Sequence, residues 1–136
     1  MSTDNDQIRS LVAHYYAAAN ARDIDGVMAC YALQEPSLLV YDVVPLKPFE
    51  GANAVRKGWS DFFSAMKEIH LERSDPEISS DGNLAFSHFT ENVALTTKGG
   101  EEIHRVLRTT HVYKKIDGLW LIVHEHKSAP ASNLHP

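Results

Sequence analysis

Cysteine is almost missing from this chain of 136 residues: Cys30 stands alone. No disulfide can form within the chain, so a disulfide-built scaffold is excluded, and a lone thiol suits a reducing compartment. Cytoplasmic location is therefore the expectation. A basic run is also missing. The 13 Lys and Arg are scattered among 18 Asp and Glu, for a formal net charge of −5, which leaves no electrostatic footprint for nucleic acid. No apolar run approaches the roughly 20 residues that span a bilayer, so no membrane association is expected. The opening MSTDNDQIRS is polar and acidic, without the basic and apolar regions of a signal peptide. Closely spaced cysteines, GxGxxG, GxxxxGK[ST] and GxSxG are all absent. Structural zinc, dinucleotide, phosphate-loop and serine-hydrolase chemistries thus have no sequence support, and no cofactor is expected.

What is present is an ordinary globular composition, 43% hydrophobic and 23% charged. A chain of this length builds one domain with a sizeable core and room for a small cavity. The expectation is a single domain over 1–136, with its core at about 6–130 and a loose tail over 131–136. Ile8, Leu11, Val12, Tyr15, Ala18 and Ala19 recur at helical spacing, which predicts an amphipathic helix over 5–21. A second helix starts after Asp23 as N-cap, carries Val27, Met28 and Tyr31 on one face, and closes by Pro36. SLLVYDVVP reads as a short buried strand ended by Pro45 and Pro48. Gly51 precedes a third helix, about 52–67, whose apolar face holds Val55, Trp59, Phe62, Phe63 and Met66. The period then becomes two. Strands are predicted at about 69–79, 84–97, 101–115 and 119–127, joined by SDGN, TKGG and KIDG, which carry the Asp, Asn and Gly of tight hairpins.

Helices first and hairpins after predict an α+β fold, with three N-terminal helices packed on a curved antiparallel sheet to make a cone whose interior is the pocket. Leu121 and Val123 lie opposite Trp120 and Ile122, so the last strand is apolar on both faces. That predicts a covered outer face and a homodimer through the sheet.

Within WLIVHEHKS, strand alternation puts Trp120, Ile122, His124 and His126 on one side. His124 is expected to face the cone as a proton carrier, with His126 nearer the rim. A strand-end cap or a dimer contact is the alternative for both, and a one-residue bulge would turn Glu125 inward instead. His88 alternates with Phe86 and Thr90 and is expected to line the same pocket. A metal site built from His88, His124 and His126 is a further option, although i, i+2 spacing on a strand is far less diagnostic than HExxH. Asp42 lies inside an apolar strand, where desolvation would raise its pKa toward that of a general base. The alternative is a solvated carboxylate at the strand end. Arg108 either binds a ligand carboxylate in the pocket or makes a rim or dimer salt bridge. Trp59 and Phe63 are expected on the pocket wall. His14, Glu91, Glu101, Glu102 and Lys98 read as exposed.

The layout, the N-terminal YYAAANARDIDGVMACYA and the closing KKIDGLWLIVHEHKSAP resemble the SnoaL-like, ketosteroid-isomerase-like branch of the nuclear-transport-factor-2-like superfamily. The resemblance covers about residues 6–130 and implies a cystatin-like α+β cone with a pocket, commonly dimeric. The closing hairpin is also similar to the association domain of calcium/calmodulin-dependent kinase II, an assembly module. By the resemblance, Tyr15 matches the first-helix tyrosine that holds an enolate oxygen, and the catalytic base falls near Asp42. The second oxyanion donor falls at about Thr110, where this chain has no carboxylic acid, a weaker donor position. The expected function is binding of a small, largely apolar organic molecule. If catalytic, the chemistry is proton transfer next to a carbonyl, of isomerase, cyclase or lyase type, with Asp42, Tyr15 and His124 as its groups. The alternatives are a non-catalytic binding or assembly domain and a metal-dependent enzyme.

Overall fold

The structure, a computed structural model, describes residues 2–131. The tail expected over 131–136 lies, apart from Ala131, outside the described residues. Helix α1 (Asp4–Asn20) starts at a reciprocal cap: Thr3 Oγ1 accepts from the Asp6 N–H at 3.1 Å, and the Asp6 carboxylate accepts from the Thr3 N–H at 3.3 Å. Its buried stripe contains Ile8, Val12, Tyr15 and Ala19, as the periodicity predicts. Helix α2 (Ile24–Met28) is capped by the Asp23 side chain but ends well before Pro36. Residues 30–32 leave the helix because they pair with Ile122: the Ile122 N–H donates to Cys30 O and the Ala32 N–H to Ile122 O, both at 2.8 Å.

The remaining elements are β1 (Leu39–Tyr41), β2 (Phe49–Glu50), α3 (Gly51–Ala65), β3 (Met66–Arg73), β4 (Glu77–Asp81), β5 (Leu84–Thr97), β6 (Glu102–Ile116) and β7 (Leu119–Ser128). The single strand expected over 69–79 is two strands. Ser74, Asp75 and Pro76 separate them, Pro76 having no N–H for a ladder, and both pieces pair with β5. The β6–β7 turn holds Asp117 and Gly118 at φ 50° and 83°, the paired left-handed conformation that Asp-Gly supplies at least cost.

The sheet runs β2-β1-β7-β6-β5-β3, with β4 also on β5. Its pairings are antiparallel except β1–β7, which is parallel, a departure from the purely antiparallel expectation. The helices cover the inner face. There Ala85, Phe89, Val93 and Leu95 of β5 and Leu107 and Tyr113 of β6 join α1 in the core.

One irregularity decides what the cone contains. In the β6–β7 ladder Tyr113 pairs with Ile122 and Val112 with His124, so Val123 is an extra residue. A bulge of one residue reverses the facing of everything beyond it. Trp120 and Ile122 point inward before the bulge, and Glu125 and Lys127 point inward after it. Val123 itself is buried, which removes half of the apolar pair expected to lie outside.

Candidate functional site

Between α3, the sheet and the β1–β2 loop lies a cavity of about 510 Å³, within the size range of small-molecule sites. Val40, Phe49, Val55, Trp59, Phe62, Met66, Leu71 and Leu107 give it apolar walls, and Asp42, Glu91, Arg105, Glu125 and Lys127 supply the polar lining. Gly58 also lines it, and a Cβ at that position would meet the Phe49 ring at 2.9 Å.

Glu125 is only 2% exposed, and three neutral or charge-sharing donors converge on it. Tyr15 O–H donates to Oε2 at 2.7 Å, Tyr31 O–H to Oε1 at 2.8 Å, and His111 Nε2 to Oε2 at 2.6 Å. Burial raises the Glu125 carboxyl, but the Lys127 charge and the His111 and Tyr15 hydrogen bonds outweigh it and bring it down to about 2. The group is therefore a fixed anion rather than a proton carrier. Burial, reinforced by the Glu125 charge, holds the Tyr15 and Tyr31 phenols well above their usual range, so both remain donors. The network extends in two directions. Trp59 Nε1 donates to Tyr31 Oη at 3.1 Å, which fixes the indole in the cavity wall. His111 Nδ1 meets Tyr113 Oη at 3.1 Å, and that oxygen meets Ser87 Oγ at 2.7 Å. In the neutral tautomer that donates from Nε2, Nδ1 accepts from Tyr113, and Glu125, His111, Tyr113 and Ser87 form one continuous run of hydrogen bonds.

Lys127, 7% exposed, forms a bidentate pair with Glu91, 2% exposed, at 3.1 and 3.2 Å. Its ammonium also lies 5.4 Å from the Tyr15 ring centre. Burial works against its charge, but Glu91, Tyr16 and Glu125 more than compensate, so it stays protonated far above neutrality. Two of its three N–H donors are committed to Glu91, which leaves one for a ligand atom. Asp42 sits at the mouth, on the loop after β1. It keeps accessible surface, yet the surrounding protein removes enough hydration to raise its carboxyl above the usual value. The Lys127 charge and the Val43 N–H, at 2.7 Å, oppose that rise.

Of the residues singled out in the sequence, Asp42 and Trp59 line the cavity. Tyr15 is buried beside it, its hydroxyl held by Glu125. Phe63 packs on Trp59 with ring centres 5.5 Å apart, behind Phe62, which takes the wall position. Trp120 belongs to the base of the cone, where its Nε1 donates to Asp4 Oδ1 at 3.1 Å, and Ile122 is core. The bulge displaces the histidines. His124 turns to the outer side of the sheet, with Nδ1 2.9 Å from Leu39 O, and His126 is exposed there beside Tyr41. His88, Thr110 and His126 stand in one cross-strand row on that outer face, with Arg108 nearby donating to Ser128 Oγ at 3.2 Å. None of these five lines the cavity. Among the described residues no group of three or more His, Cys, Asp or Glu could hold a metal ion, so the His88, His124 and His126 metal reading is withdrawn.

The sequence reading missed His111, Lys127 and Arg105 and took Glu91 for an exposed charge. A signal existed for two of them. Glu91 alternates with Phe89 and Val93, and His111 with Leu107 and Tyr113, all inward on their strands. No helix among the described residues is long and apolar enough to cross a membrane.

Comparison with known proteins agrees with this architecture. A search of curated proteins finds no match. Among solved structures, an NTF2-like protein of unknown function from Pseudomonas putida KT2440 is 26% identical, with 100% of this chain and 99% of that one covered and a TM-score of 0.81. A candidate calcium/calmodulin-dependent protein kinase II association domain from Xanthomonas campestris is 21% identical, with 98% and 91% covered and a TM-score of 0.79. A candidate dehydratase of the NTF2-like family from Streptomyces avermitilis is 18% identical, with 95% and 97% covered and a TM-score of 0.80. The latter two show the fold alone. Residues 8–132 match the model of the SnoaL-like domain, and the chain belongs to that family.

Proposed function

We propose that the protein binds a small, largely apolar organic molecule in the cone and transfers a proton next to a carbonyl group of that molecule. The observation that carries this reading is one accessible carboxylate, Asp42, sharing an apolar cavity with a permanently charged Lys127. Asp42 takes the proton from the carbon beside the carbonyl. The electron pair moves onto the carbonyl oxygen, and the remaining N–H of Lys127 stabilises the enolate. In a ligand with a β,γ double bond, Asp42 then returns the proton to the γ carbon as the carbonyl re-forms and the double bond shifts into conjugation, which completes an isomerisation. Tyr15 and Glu125 position this machinery without exchanging protons with the ligand.

The test is exchange of α-protons in D2O, followed by NMR over a panel of cyclic ketones and 1,3-dicarbonyl compounds. Wild type should accelerate exchange and Asp42→Asn should not. Saturable binding without exchange would favour a binding module. An assembly role has its own support, since Tyr41, Phe86 and Val106 are exposed apolar residues on the outer face. This is the surface through which we propose a homodimer, which light scattering at micromolar concentration tests.

A further inference from the structure

We propose that the ligand is an amphipathic organic acid, its apolar body in the cone and its carboxylate held by Arg105 at the end of the cavity away from Asp42. This rests on the reading of the cone as a small-molecule site and adds to it the charge of the molecule and its orientation. Along β6 the inward positions are Ile103, Arg105, Leu107, Thr109 and His111, so the arginine occupies a site where its neighbours on either side are apolar cavity walls. Among the described residues its side chain makes one hydrogen bond, from Nη1 to the carbonyl of the adjacent His104 at 2.9 Å, and no ion pair. The other cavity cation, Lys127, is already matched by Glu91. Arg105 is thus the cation of the lining whose charge is unmet. Its planar fork presents paired N–H donors suited to a carboxylate.

The position also separates the two ends of the ligand. Tyr41 aligns through His126 with Thr110 on β6, and the same direction carries Asp42 toward the level of Thr109, ~14 Å along that strand from Arg105 at about 3.4 Å per residue. An acid group at Arg105 therefore keeps clear of Asp42 and leaves the apolar body to span the cavity toward it. Exposure of Arg105 lets the acid remain partly hydrated, so it need not be buried beside Glu125.

The test compares naphthalene-2-carboxylate with its isosteric amide, naphthalene-2-carboxamide, by titration calorimetry at neutral pH. Wild type should bind the acid at least tenfold more tightly. Arg105→Met should reduce that ratio to about one while still binding the amide, and Arg108→Met, on the outer face, should leave it unchanged. Equal binding of acid and amide by wild type would overturn this inference and leave the cavity reading standing. Binding of neither would overturn both. A ratio preserved in Arg105→Met would assign the preference to another cation and refute the proposal.

Discussion

Replacing Glu125 by Gln tests whether the buried network is as the geometry describes. The side chain keeps its size, so packing is retained, while the charge that Tyr15, Tyr31 and His111 serve is removed. A carboxyl carried from its ordinary value of 4.5 down to about 2 in the folded protein contributes about 3 kcal/mol at neutral pH. The amide can replace one acceptor oxygen but not both, which adds about 1 kcal/mol for a donor left without a partner. Against a total stability on the order of 5–15 kcal/mol, the variant should remain folded but be clearly weakened, by about 3–4 kcal/mol at pH 7. The sign of the pH dependence follows from the direction of the shift. Because the folded-state value is depressed, the contribution is complete above the unfolded value and is lost as pH falls toward the folded one. The gap between wild type and Glu125→Gln should therefore shrink to roughly 1–2 kcal/mol by pH 3. Urea unfolding followed by Trp59 and Trp120 fluorescence at both pH values measures it. A gap below 1 kcal/mol at pH 7, or one that stays constant to pH 3, would refute the account of Glu125.

Lys127→Met should cost about 3–5 kcal/mol, because Glu91 is left buried without its cation, and adding Glu91→Gln should recover a large part of it in the same unfolding assay. His124→Ala should lower stability by about 1 kcal/mol through the lost contact to Leu39 O. It should leave α-proton exchange unchanged, and a large loss of exchange on this substitution would return the histidine to the cone.

Much of the fold was legible because the decisive signals are local. The α1 stripe follows helical spacing, and Asp117–Gly118 needs left-handed conformations that few other residues accept. The split of the strand after β3 was signalled by Pro76 and passed over. The site was less legible, because its composition depends on one extra residue in β7. Up to Val123 both faces of that strand are apolar, so nothing in LWLIV favours a bulge over strict alternation. The register is settled by β6, where His111 needs Glu125 rather than His124 across from it. That requirement is long-range and invisible in β7 alone. Asp42 and Trp59 were found because each stood out against its immediate neighbours. Arg105 and Arg108 differ only by odd and even position on β6, and the alternation of Leu107, His111 and Tyr113 that marks its inward face was passed over.

The pH dependence of α-proton exchange tests the central claim most directly. With a carbonyl compound that the wild type turns over, the rate should rise as Asp42 loses its proton, with a midpoint above the usual aspartate value, and then level off. Asp42→Asn should show no such rise. Exchange that follows the same profile in wild type and Asp42→Asn would contradict the account and move the base elsewhere in the cone.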